Sequence, residues 1–219
     1  MRIKEIIQEE ATHYGPDPGS EEWRNIFSAL KYLGDQPVVW RGSNHGGTMI
    51  DYIDNSYKTG FRGSIDPTLK KIIQTLGIKN PAFAALSKDK AKFFGSPHII
   101  IPVKGSTPYQ NDDVYDIAHI ERKTVLSDDE NGIDPEAFEK LINGYEKKMN
   151  NPDVEIIFDT PGYYAIVPDM MVRFAQYNKF RKIKSVEELN TYADVRNLII
   201  DYRNQITYHA KRLANLGKR

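Results

Sequence analysis

Apolar residues recur along the chain in two rhythms, one helical and one extended. At spacings of three and four come Ile3, Ile6 and Ile7, which predict a short amphipathic helix over 2–12. The same rhythm places Trp23, Ile26, Phe27 and Leu30 on one face, with Ser20 as cap, Glu21 and Glu22 in the first turn and Gly34 as stop. Asp66-Pro67 opens a third helix with Leu69, Ile72, Ile73 and Leu76 as its stripe and Gly77 beyond it. Ser87 caps a short helix over Lys88–Phe94 that Gly95 ends, and Asp134-Pro135 starts another with Phe138, Leu141, Ile142 and Tyr145. Residues 185–216 read as one long or two shorter helices: Ser185 and Glu188 fit a capping box, and Ile199, Tyr202, Ile206, His209, Leu213 and Leu216 follow at helical spacing.

Short apolar runs of strand length lie between these segments. Val38-Val-Trp40 begins after Pro37 and runs into Arg41-Gly42, Phe83–Leu86 precedes the Ser87 turn, and His98–Val103 is nearly all aliphatic. Residues 119–126 are a further candidate strand. Val154–Asp159 and Tyr163–Val167 flank Thr160-Pro-Gly162, which predicts an antiparallel hairpin. Residues 43–65 are polar and glycine-rich with Tyr52, Tyr57 and Phe61 interspersed, a length suited to a binding loop, and 104–118 also read as loop.

A chain of 219 residues suits one sizeable core with a helical addition. The absence of cysteine excludes disulfides, thiolate zinc sites and cysteine nucleophiles. No stretch is long and apolar enough to span a membrane, and Met1–Ile7 lacks an export-signal core, so an intracellular, cytoplasmic location is expected. Formal charge is zero, yet from Arg173 onward there are 11 basic and 4 acidic residues, leaving 19 and 26 for residues 1–172. A basic tail on an acidic body suits an acidic partner, nucleic acid included, or a solvated helix.

Histidines at 13, 45, 98, 119 and 209 form no short-spaced metal pair; no Gly-x-Ser-x-Gly elbow, P-loop or dinucleotide fingerprint occurs. Three places remain: Arg41 after its strand, the Ser87 strand-to-helix turn, and Glu155 at the head of a late strand. Arg41 brings a planar fork of donors suited to phosphate, and Gly42 admits close backbone approach. Singly, each also has an ordinary reading: a surface arginine, a helix cap and an edge-strand carboxylate.

In that order, Val38-Val-Trp-Arg-Gly42, Phe83-Ala-Ala-Leu-Ser87 with Lys88–Phe94, and Asp153-Val-Glu-Ile-Ile157 with Tyr163–Val167 resemble the arginine-serine-glutamate branch of the ADP-ribosyltransferase superfamily. The arrangement, over roughly residues 20–168, also resembles uncharacterised proteins of large tailed phages. Ala85 and Leu86 stand where the family's first serine and threonine belong, and Asp153 stands where arginine-modifying members carry a glutamate.

The resemblance implies an α+β fold of two packed, mainly antiparallel sheets with flanking helices; with the charge and helical pattern of the tail, residues 1–172 are expected to form the domain and 173–219 a basic helical extension. It implies mono-ADP-ribosyl transfer from NAD, without a metal, to a macromolecular target, in the host cytoplasm if phage-encoded. The alternatives are NAD hydrolysis and a non-enzymatic phage interaction module on the same fold. It also implies that Arg41 and Glu155 lie on adjacent strands facing one pocket. Glu155 would stabilise the oxocarbenium-like state, and Arg41 would hold the phosphates. Gly42 would meet the carboxamide through its backbone, and Ser87 would position Glu155 or the ribose. Tyr57, Phe61, Arg62 and Phe83 would complete the cofactor surroundings, and Asp153 would orient the target.

Overall fold

The computed structural model describes residues 16–17, 19–43, 49–55, 67–114, 134–177, 183 and 185–216, and within them the chain is α+β. Six helices are present among the described residues: α1 (Glu21–Leu33), α2 (Pro67–Thr75), α3 (Lys88–Lys92), α4 (Pro135–Asn143), α5 (Pro168–Tyr177) and α6 (Tyr192–Leu216). Seven strands accompany them: β1 (Val39–Ser43), β2 (Ile50–Asp54), β3 (Pro81–Ala85), β4 (Ser96–Pro102), β5 (Thr107–Gln110), β6 (Glu155–Asp159) and β7 (Gly162–Ile166). The helix expected over 2–12 and the strand expected over 119–126 lie outside the described residues.

Helices start and stop where local chemistry permits. Asp134 accepts from the N–H groups of Glu136 at 2.9 Å and Ala137 at 3.4 Å, capping α4, and Ser87 accepts from Lys90 N–H at 3.3 Å, capping α3. Gly77, at φ 70°, stops the turn after α2 in a conformation that a side chain would resist. The box expected at Ser185 and Glu188 does not form, since Ser185 makes no side-chain cap bond and Val186–Glu188 is a short 3-10 turn. Thr191 and Asp194 make it instead: Thr191 N–H donates to the Asp194 carboxylate at 2.9 Å, and Asp194 N–H donates to Thr191 Oγ1 at 3.3 Å. The long helix therefore begins at Tyr192.

All described strand pairings are antiparallel, and they join one sheet in the order β2-β7-β4-β1-β3-β6-β5. The hairpin expected between Val154–Asp159 and Tyr163–Val167 does not exist, because β6 pairs with β3 and β5 while β7 pairs with β2 and β4. These two strands stand four places apart, which in a flat sheet is roughly 19 Å. Asp159 and Gly162 are joined by Thr160 and Pro161 alone, a tether of about 11 Å at full stretch. The sheet must therefore fold over so that its halves approach. Asn55, just past β2, marks the seam: its side-chain amide donates to the carbonyls of Asn80 at 2.9 Å, Thr160 at 3.1 Å and Pro81 at 3.3 Å. Two separate sheets were expected; hydrogen bonding instead makes one sheet bent into two leaves.

Pleating then separates an inner from an outer face. Ala82, Ala84, Ile156 and Phe158 on one leaf share a core cluster with Tyr163 and Ala165 on the other, and the alanines let the leaves come close. On the outer face Trp40, Ile99 and Ile166 join the same cluster as Trp23, Ile26 and Leu30 of α1 and Tyr192, Val195, Leu198, Ile199 and Tyr202 of α6. Tyr192 Oη donates to the Ile100 carbonyl at 2.6 Å, which ties the start of α6 to β4. The buried stripe of the expected C-terminal extension thus packs in the main core.

Candidate functional site

β1, β3 and β6 are consecutive in the sheet, and one rung crosses all three: Trp40 is opposite Ala85, and Ala85 is opposite Glu155. The three segments singled out by sequence are therefore neighbours at one level. Arg41 and Glu155 are not on adjacent strands as expected, because β3 lies between them. Their faces differ as well. Residues directly opposite share a face and successive residues alternate, so Glu155 shares the outer face with Trp40 and Ala85 while Arg41 projects inward.

Arg41 is not at a strand end either, since β1 continues to Ser43. Its Nη1 donates to the Phe83 carbonyl on β3 at 2.9 Å, and its guanidinium carbon lies 5.8 Å from the centre of the Tyr163 ring on β7. One residue thus touches both leaves, using its fork on one and its flat face on the other. His98 is opposite Arg41 on β4, and its Nδ1 is 2.7 Å from the Ser96 carbonyl, so that nitrogen is the donor.

Gly42 faces the other way, toward α3. A Cβ there would stand 2.2 Å from the Ala91 carbonyl oxygen and 2.7 Å from Phe94 backbone, so the missing side chain is what allows α3 to lie against β1. The space a side chain would need is filled by the backbone of α3 and its exit.

Glu155 heads β6 and is only 8% exposed. Its cross-strand partner, Ala85, carries only a methyl side chain. Ser87 lies two residues farther on, and its hydroxyl accepts from Lys90 N–H as the α3 cap. Lys90 is buried, and its ammonium donates to the Asp153 carbonyl at 3.1 Å, tying α3 to the chain just before Glu155. Asp153 itself is exposed, with its N–H held by Asn151 Oδ1 at 3.0 Å. Lys88 reaches over the Trp40 ring at 5.7 Å, with Asp169 and Glu187 each 3.8 Å from its ammonium. Phe83, half-buried, packs with Ile157 and Tyr109.

Tyr57, Phe61 and Arg62 lie outside the described residues. Among the described residues no group of three or more histidine or acidic side chains is arranged to hold a metal, and no helix is long and apolar enough to cross a membrane. A cleft of about 520 Å³ lies elsewhere, between α1 and the β2–β7 edge, lined by Glu22, Asn25, Ser28, Tyr52, Lys104 and Tyr164 among others. On α6 the basic residues Arg196, Lys211 and Arg212 are exposed, whereas Arg203 lies over the Trp23 and Phe27 rings at 5.8 and 5.6 Å.

Sequence reasoning overlooked Asn55 and the phenol of Tyr145. Asn55 carries no local signal, being one polar residue in a polar loop. For Tyr145 the signal is a hydroxyl on an otherwise apolar helical stripe. Comparison of the chain with family models, curated proteins and solved structures returns no match.

Proposed function

We propose that the chain acts on NAD at the Glu155 side of the sheet, as a mono-ADP-ribosyltransferase modifying a macromolecular target. The observation that carries this reading is the rung Trp40–Ala85–Glu155, with Ser87 and α3 immediately beyond it. Three segments far apart in sequence meet at that rung, which supports the reading. In the proposed reaction the bond between ribose C1′ and nicotinamide breaks, and nicotinamide leaves with the electron pair. An acceptor nucleophile then bonds C1′ and releases its proton to solvent. Positive charge develops on the ribose, and a carboxylate held nearby stabilises it. Glu155 is the residue assigned that task. The exposed Asp153 carboxylate, two residues before it, is assigned to the approaching target.

Arg41 receives a different role from the one its sequence setting suggests. With its guanidinium on the Phe83 carbonyl and the Tyr163 ring, it is assigned to positioning β3 rather than to the phosphates.

A second reading, the non-enzymatic module, is favoured by Ala85 opposite Glu155 and by the inward commitment of Arg41. Incubating the chain with NAD and candidate protein extracts separates the readings. Label on protein supports transfer, free ADP-ribose alone supports hydrolysis, and no consumption of NAD supports the module.

A further inference from the structure

The strand face that carries Glu155 continues through Ile157, which pairs with Phe83 on β3 and Tyr109 on β5. Leu141 of α4 and Tyr145, just beyond that helix, cover these residues in a cluster with Ile73, Ile78 and Val114. This half of the outer face is thus an apolar wall with Glu155 at its margin.

Other polar groups near the wall are satisfied from within. Asn111 Nδ2 donates to the Leu141 carbonyl at 2.9 Å, and the Gln110 side chain donates to the Asn151 carbonyl at 2.6 Å and accepts from Asn150 and Asn151 N–H at 3.1 Å. The Tyr145 phenol differs. Its oxygen is buried and has no hydrogen-bond partner among the described residues, although its backbone N–H is held by the Ile142 carbonyl at 3.0 Å. Burying a hydroxyl unpaired costs about 1–3 kcal/mol, a penalty that phenylalanine would avoid at nearly the same volume. Ser20 Oγ and the Gln205 amide are likewise buried without partners, but they belong to the α1 entry and to α6. Burial first, and the charge of the Glu155 carboxylate second, push the Tyr145 phenol well above the usual range. The group stays protonated, a donor in the cluster that covers Ile157, which lies two residues along β6 from Glu155 on the same face.

A donor and a carboxylate at the margin of an apolar wall suit a ligand with two neighbouring hydroxyls, because one hydroxyl oxygen can accept from the phenol while the next donates to the carboxylate. A ribose diol has that pattern. We propose that Tyr145 is a ligand-binding residue of the Glu155 site, its phenol donating to one ribose hydroxyl while the adjacent hydroxyl donates to Glu155. The assignment rests on the reading that the chain acts on NAD.

Calorimetric titration of the full chain with NAD, together with thermal unfolding, tests it on wild type and Tyr145→Phe. Loss of one neutral hydrogen bond should weaken NAD binding about 5–10-fold. Because an unpaired hydroxyl is being removed, the unfolding midpoint should hold or rise. Wild-type binding with Tyr145→Phe within twofold of it overturns the assignment and leaves the NAD reading standing. A fall in both midpoint and affinity also overturns it, by showing the phenol to be structural. A wild type that neither binds nor consumes NAD removes the NAD reading and this assignment with it.

Discussion

Asn55 closes the bent sheet, and its removal should be among the costliest single changes outside the aliphatic core. It is 6% exposed, its side-chain amide serves the carbonyls of Asn80, Pro81 and Thr160, and its own N–H donates to the Pro161 carbonyl at 2.8 Å. Alanine keeps the backbone bond but removes both amide hydrogens. The Asn80 carbonyl retains Thr160 N–H at 3.0 Å, so the loss falls on Pro81 and Thr160. Two net hydrogen bonds at about 1 kcal/mol each, plus about 1 kcal/mol for a buried carbonyl left unpaired, give roughly 3 kcal/mol. For a chain of this length that lowers the melting midpoint by about 6–12 °C. Aspartate should be worse, about 4 kcal/mol or more, because an isosteric carboxylate has no donor and would face three carbonyl oxygens in a buried site. The aspartate penalty has a pH signature. Burial among carbonyls raises the folded-state pKa, so the charged form is disfavoured and the lost stability returns as pH falls below that pKa. Urea unfolding of Asn55→Ala and Asn55→Asp at neutral and acid pH reads both effects. An alanine variant within 0.5 kcal/mol of wild type would refute the role of Asn55 in holding the leaves together.

Gly42→Ala should destabilise by about 3 kcal/mol, since its new methyl meets main-chain atoms of α3 and its exit that cannot rotate away; an unchanged melting midpoint would contradict the fit of α3 on β1. Arg41→Lys keeps one donor for the Phe83 carbonyl but loses the planar fork and the flat contact with Tyr163, so about 1 kcal/mol of stability should be lost while NAD affinity changes less than threefold. Calorimetry showing a tenfold weaker NAD complex with stability unchanged would return Arg41 to the phosphate role that its sequence setting suggests.

Elements whose instructions are local were legible. Asp134 and Ser87 cap the helices they were expected to cap, and the aliphatic run ending at Val103 is β4. Edge strands were not. β2 buries only Ile50 fully, and β5 contains Pro108, tolerable because β6 is the only strand β5 borders in the sheet; neither gives a sustained alternation. The mistaken hairpin has a similar cause. A two-residue link between strands reads as a tight turn, and only long-range bonds, such as those from Asn55, reveal that Thr160 and Pro161 cross from one leaf to the other. At the site, the sequence picked out three segments that share one rung, but not that β3 would stand between β1 and β6. The face each side chain takes depends on register, and one position of offset separates Arg41 from Glu155.

NAD consumption by the wild-type chain beside Glu155→Gln is the most direct test of the proposed chemistry. Glutamine matches the size of glutamate and still offers a hydrogen bond, but it lacks the charge that an oxocarbenium-like state demands. Folding and most NAD binding should persist, and turnover should fall about 100-fold to 1,000-fold. Asp159→Asn serves as the control, because that carboxylate is occupied by the N–H groups of Asn80 at 2.9 Å and Lys79 at 3.2 Å, so its loss should lower stability and leave chemistry in the folded fraction intact. Equal turnover by wild type and Glu155→Gln, or no NAD consumption by the wild type at all, would contradict the account.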